Sequence, residues 1–315
     1  MKKFIIVVIA FMSNSILSQG QKMTVSKVRL SDNLKRLRVY GINEMNGNDR
    51  VAYSDYDIQA REFLKSYLKN LGLTVEVDYA ANIIARKEGT NKKLKPIAFG
   101  SHIDAVPNGG HYDGPLGVIG GIEVLETIIE DKIINSHPLE LIIFTNEEGG
   151  VFGSRALAGK LNYDALEVKT ASGFTNGEGV DRLGGDQRKI FDVIKSSDDY
   201  HAFVELHIEQ GNILNKNKID IGVVTGIVGL KWWDITIEGF ANHAGTTPMG
   251  ERKDPMITAA DFILLVKKII NEMPGNQVGT VGKIEAFPGA PNVIPGKVKL
   301  SLEIRDLDEN KIDFL

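Results

Sequence analysis

Three short apolar runs, each stopping at a group of polar residues, constrain this chain most. They are Pro96–Phe99, Leu139–Thr145 and Ala202–Ile208. Each is four to seven residues long and rich in Ile, Leu, Val, Phe or Ala, as buried strands of a parallel sheet are. Between the first two lies Leu116–Ile129, a longer apolar stretch that reads as a helix. Strand, helix, strand with polar residues at the carboxyl ends is the α/β arrangement in which sites collect. The expected fold is therefore a mostly parallel central sheet flanked by helices.

The polar groups at the run ends differ in kind. The first is Gly100–Gly114, GSHIDAVPNGGHYDG. His102 and Asp104 are two apart, so on an extended chain they point the same way. That spacing suits a metal-bound histidine whose second ring nitrogen is held by a carboxylate. Asp113 follows in a glycine-rich loop free to bring it back toward the strand end. The second group is Asn146-Glu147-Glu148-Gly149-Gly150, where adjacent carboxylates point to opposite sides. One can bind a metal while the other faces a substrate. The third run carries His207, Glu209 and Gln210 at its end. A lone His-x-Asp is common, and an isolated Glu-Glu is usually a solvated turn; three such groups at three strand ends are a different matter.

At 315 residues the length suggests about two domains. The net charge of −4 leaves no basic footprint for nucleic acid or an anionic membrane, so a small-molecule substrate is expected. No cysteine is present, which removes thiolate ligands and disulfides and leaves His, Asp and Glu to hold any metal. Lys2 and Lys3 precede the apolar Phe4–Met12, and small and polar residues follow to Ser18. Residues 1–18 thus read as a cleavable export signal, leading to a periplasmic or secreted protein with no membrane attachment after cleavage.

Farther along, a first helix is expected somewhere in 19–49, and Ser54–Leu71 is a second, capped by Ser54 and ended by Gly72. Strands are expected at Val75–Asp78 and Asn82–Lys87. Asn162–Tyr200 reads as loops with one helix near Arg188–Lys195. From about Gly229 the pattern changes: Lys231–Glu238 alternates as a half-exposed antiparallel strand does. A loop bearing His243, a helix over Asp254–Met273 and strands near Val278–Ala286 and Gly296–Asp306 complete a small α+β unit. Residues 19–228 are then one domain and 229–315 another.

Together the groups suit a metal-activated water attacking a carbonyl, with an adjacent glutamate moving the proton. A Gly-x-Ser-x-Gly elbow, a His-Glu-x-x-His helix and a phosphate-binding Gly-Lys-Ser loop are all missing from the sequence. The strings GSHIDAVPNGGHYDGPLGV, FTNEEGGVFGSRALAG, ELHIEQG, VTGIVG, GFANHAGTTPM, PNVIPG and LEIRD closely resemble the metal-dependent N-carbamoyl-amino-acid hydrolases, ureidopropionases and allantoate amidohydrolases of the di-zinc aminopeptidase-like superfamily. The likeness runs in order from about Leu34 to Asp306.

The resemblance implies an amidohydrolase cleaving a linear carbon–nitrogen bond, with two divalent ions, zinc or manganese. His102, Asp113 and His207 would bind one metal, Asp113 bridging to a second held by Glu148. Glu147 would be the general base, and Asp104 would orient His102. Gln210, His243, Asn292 and Arg305 would hold the substrate and its carboxylate, with His243 also stabilising the oxyanion. The small domain would be a lid that forms a homodimer. His111, His137 and His201 match no family ligand and read as surface or packing residues. Family members continue past the position of Leu315 and supply a late histidine to the second metal. The resemblance therefore also implies a catalytic domain and lid that are both incomplete at Leu315, and a chain holding possibly only one metal. The alternatives are a peptidase of the same superfamily and an inactive member binding at most one metal.

Overall fold

The computed structural model describes residues 23–315. The expected export signal lies outside them. The chain divides into two units between Gly222 and Val223, against the sequence-based expectation of 228/229.

The first unit contains α1 (Lys27–Arg38), α2 (Asp55–Asn70), β1 (Thr74–Val77), β2 (Ile83–Lys87), β3 (Ile97–His102), α3 (Pro115–Glu130), β4 (Leu139–Phe144), α4 (Phe152–Leu157), α5 (Asp164–Glu167), α6 (Asn176–Arg182), β5 (Ala202–Val204) and α7 (Ile213–Asn217). Local signals set most of these bounds. The Ser54 side chain accepts the Asp57 N–H at the start of α2, and two aspartates in its first turn favour the helix dipole. In α3, Pro115 occupies the first turn, where its missing N–H removes no helical bond.

The five strands lie in the order β1-β2-β4-β3-β5. β1–β2 and β2–β4 are antiparallel, while β4–β3 and β3–β5 are parallel. The sheet is thus mixed, and the parallel part is the part that carries the polar strand ends. Its core joins Ile83, Ala85, Leu141 and Ile143 of the sheet to Val118, Ile119, Ile122 and Leu125 of α3 and to Leu64 and Leu68 of α2. Helix α3 lies very close to the strand ends: a Cβ on Gly117 would sit 2.2 Å from the Leu206 carbonyl oxygen.

Two expectations change. The third run is not a buried strand over Ala202–Ile208; only Ala202–Val204 is extended, and all three residues are exposed. Among the described residues β5 is the edge of the sheet, paired on one side only. The segment 162–200 is more ordered than expected. Its α-helices are α5 and α6, whereas Gln187–Val193, at the expected helix, is 3-10 with a kink at Lys189. Helix α6 hid because Gly177 and Gly179 interrupt its apolar pattern. Gly179 is required there, since a Cβ would fall 2.2 Å from Cγ of Tyr53. A capping box, Thr175 with Glu178, was its legible signal.

The second unit contains β6 (Gly229–Glu238), β7 (Asn242–His243), α8 (Pro255–Glu272), β8 (Val278–Phe287), β9 (Val293–Ile294), β10 (Lys297–Asp306) and α9 (Glu309–Phe314). β10 pairs antiparallel with both β6 and β8. Ala259 of α8 packs on Val298 and Leu300 of β10. The expected loop at His243 is a short strand, with His243 opposite Val293.

Candidate metal centre

Register brings the first two polar groups together. In the parallel β3–β4 pair His102 lies opposite Phe144, so both strands end at the same level and Glu147 follows three residues later. His102 Nε2 then lies 3.6 Å from Glu147 Oε2. The β3–β5 register pairs Ile97 with Ala202; continued past the end of β5, it sets His207 level with His102. The two imidazole rings stack with centroids 5.9 Å apart. The loop before α3 returns Asp113 to the same place, 3.2 Å from His207 Nε2. One ligand atom from each of His102, Asp113 and His207 lies within 4.8 Å of the others.

This donor set fits a divalent cation. His102 Nδ1 is held at 3.0 Å by the backbone carbonyl of Asp104, and His207 Nδ1 at 2.9 Å by that of Ile208. Both rings are thereby oriented with Nε2 left for a metal, the usual arrangement of ligating imidazoles. The Asp113 carboxylate accepts both hydrogen bonds from the Gln210 side-chain amide, at 2.9 and 2.8 Å. Gln210, expected to touch substrate, is here bonded to a candidate ligand.

Asp104 is not arranged as its spacing suggested. The strand ends at His102, so the pair is no longer on extended chain, and the Asp104 carboxylate stands 3.7 Å from His102 Nδ1. Its oxygens instead accept the backbone N–H groups of Glu147 and Glu148, at 3.2 and 3.1 Å. Asp104 orients the histidine through its backbone and the glutamate turn through its side chain. Arg50, fully buried, clamps the same corner: its Nε donates to the Ile103 carbonyl at 2.6 Å and its own carbonyl accepts from the Ala105 N–H. None of this was read from the sequence, where Arg50 stands in a polar stretch without signal.

Burial pushes the Glu147 carboxyl above its ordinary value, and the Glu148 carboxyl likewise. Glu147 thus has a carboxylate beside the histidine pair and a raised proton affinity, which suits a general base. Glu148 shares the turn, and its carboxylate is not one of the group of three. Gly114 lies so near the His102 ring that a Cβ there would sit 2.5 Å from His102 Nε2.

In the second unit, His243 Nδ1 accepts the Gly245 N–H at 3.0 Å, and the Asn292 carbonyl accepts from Ala244. Arg305 Nε donates to Glu303 at 2.5 Å. Of the unassigned histidines, His137 and His201 pack against one another with their rings tilted and His111 bonds the Asn46 carbonyl. None of the three joins the metal group.

Comparison with known proteins agrees with this geometry. The profile of the peptidase family M20/M25/M40 matches residues 98–293, which include every residue of the centre. An N-carbamoyl-L-amino acid amidohydrolase of Geobacillus stearothermophilus is 42% identical over 284 residues, spanning 89% of this chain and 69% of its own length. An allantoate amidohydrolase of Bacillus subtilis is 34% identical, over 94% of this chain and 72% of its length. Among solved structures, a hydantoinase/carbamoylase family amidase from Burkholderia multivorans aligns with a TM-score of 0.79 at 35% identity, over 93% of this chain and 72% of that one. With the matched segment holding the histidine pair, Asp113 and the paired glutamates, this chain belongs to the M20/M25/M40 peptidase family.

Proposed function

We propose that the protein is a metal-dependent amidohydrolase of linear, non-peptide carbon–nitrogen bonds, acting on an N-carbamoyl amino acid or a related ureido carboxylate. The observation that carries this is the His102–Asp113–His207 group with the Glu147 carboxylate beside it, in a chain whose relatives bear carbamoyl- and allantoate-hydrolase names.

His102, Asp113 and His207 would hold a divalent ion, zinc or manganese, with Asp113 and Glu148 contributing to a second. Such ions polarise a carbonyl and lower the pKa of water when bound. The chain's own residues do the rest. Glu147 takes a proton from the attacking water and delivers it to the departing nitrogen. Asp104 holds both glutamates through their N–H groups. His243, Asn292 and Arg305, all in the second unit, are kept as candidates for holding a substrate by its oxyanion and its carboxylate, for which a guanidinium fork is well shaped. Gln210, free to exchange its bond from Asp113 to the substrate, belongs to the same set. The second unit is read as a lid that pairs with a second copy, and residues 1–18 as an export signal.

Ammonia release from N-carbamoyl-L-amino acids, ureidopropionate and allantoate, with zinc or manganese added, tests the reading. Hydrolysis of one ureido class with dipeptides left intact is expected. Dipeptide cleavage without any ureido hydrolysis would overturn it. Export is checked separately by the N-terminus of the protein recovered from its host: one beginning near Gln19 is expected, and retention of Met1 refutes cleavage.

A further inference from the structure

The Glu147–Glu148 turn is closed locally by the Gly150 and Val151 N–H groups, which donate to the Glu147 carbonyl, but the residue that leads into it from the strand is held from farther away. Between β4 and the first glutamate stand Thr145 and Asn146, and Asn146 has φ +46°, in the left-handed region. That conformation redirects the chain out of the strand. Asparagine adopts it more readily than most residues, and a fixed side-chain partner selects it over the alternatives. Among the described residues the one side-chain hydrogen bond of Asn146 is made by its Nδ2, which donates to Asn176 Oδ1 at 2.7 Å.

Asn176 is the first residue of α6, thirty positions later in the chain. Its side-chain amide is committed at both ends. Oδ1 accepts from Asn146 and from the Tyr53 hydroxyl, the latter at 3.0 Å, while Nδ2 donates to the Ala165 carbonyl at 2.8 Å. Tyr53 too is left-handed, with φ +69°, and its N–H is held by Asp57 at 2.9 Å. Tyr53, Asn146 and Asn176 are respectively 0%, 3% and 3% exposed, so water does not replace a missing partner. Two left-handed residues from distant parts of the chain thus converge on one amide.

We propose that Asn176 is a positioning residue for the general base: it fixes Asn146 in its left-handed conformation and thereby sets the Glu147–Glu148 turn over the metal group. The base role rests on the function proposed above; the geometric role does not.

Asn176→Ala removes the acceptor from Asn146. In the full chain, the Glu147 and Glu148 amides, protected by Asp104, should exchange hydrogen about tenfold faster, the weight of one buried hydrogen bond, while Ile142 and Ile143 in β4 stay unchanged. Turnover should fall by roughly 10- to 100-fold with KM and bound zinc little altered, since displacing a reacting group by about 1 Å costs that much. Leu125→Ala, a core truncation away from the network, is the control: at a comparable loss of Tm it should move neither the two amides nor kcat. Asn146→Gly keeps the left-handed φ without the side chain and serves if Asn176→Ala fails to fold; the two changes combined should speed exchange at Glu147 and Glu148 no more than Asn176→Ala alone. Wild-type exchange at Glu147 and Glu148 in these variants overturns the proposal. Should the unmutated protein hydrolyse no ureido compound, the functional reading falls, and the exchange measurement still decides the role of Asn176.

Discussion

Gly114→Ala tests the metal centre most directly. Gly114 caps α3 with φ +80° and ψ −53°, a conformation open to glycine and strained for alanine by about 1–3 kcal/mol. The added Cβ would also lie 2.5–2.6 Å from Nε2, Cδ2 and Cε1 of His102. Ordinary carbon contacts are about 3.5 Å, so the ring must retreat by roughly 1 Å. His102 is only 2% exposed, with Nδ1 tied to the Asp104 carbonyl, so a retreat breaks that bond. Metal–ligand distances tolerate only about ±0.2 Å. Competition against a zinc chromophore should therefore show affinity reduced by at least about 10- to 100-fold, as when ligand orientation is lost. Gly184→Ala separates strain from displacement: its φ is +91° but nothing lies within 4 Å of the added Cβ. That variant should lose stability and keep zinc affinity. Wild-type zinc affinity in Gly114→Ala would refute the placement of His102 Nε2 as a ligand.

Glu147→Gln should retain the metal while hydrolysis falls by about 10²- to 10⁴-fold, the usual weight of a general base; metal content lost together with rate would mean that Glu147 is a ligand. Elemental analysis of the purified 315-residue chain should give about one tightly bound zinc or manganese, from the three-ligand group, and two tight equivalents would refute that count. Burial pushes the Asp57 carboxyl from 3.8 up to about 6. The folded state therefore binds this proton more tightly than the unfolded chain, so the contribution is full below pH 3.8 and is lost as pH rises through about 6. Urea midpoints of Asp57→Asn should change less across that window than those of the unmutated protein, and parallel profiles would contradict the assignment.

The sequence by itself determined the local elements and the residue types of the site. Ser54, Gly72 and Pro115 mark helix ends because capping and φ restrictions act within a few residues. The apolar runs at 96–99 and 139–145 announce strands because burial on both faces selects unbroken hydrophobicity. His102, Asp113, Glu147, Glu148 and His207 could be singled out as candidates because ligand chemistry uses those side chains at strand ends, and the first, second and last of them do meet. The tertiary structure decided what depends on register and distant contact. The level ends of β3 and β4, and the continuation of β5 toward His207, follow from interstrand pairing between residues about 40 and 105 positions apart, which no local pattern encodes. For the same reason Asp104 proved to hold the glutamate turn with its carboxylate, and Arg50, Tyr53 and Asn176 emerged as its supports. Buried polar groups take whichever partner the packed chain brings within about 3 Å, and that choice is made only when the whole unit has folded.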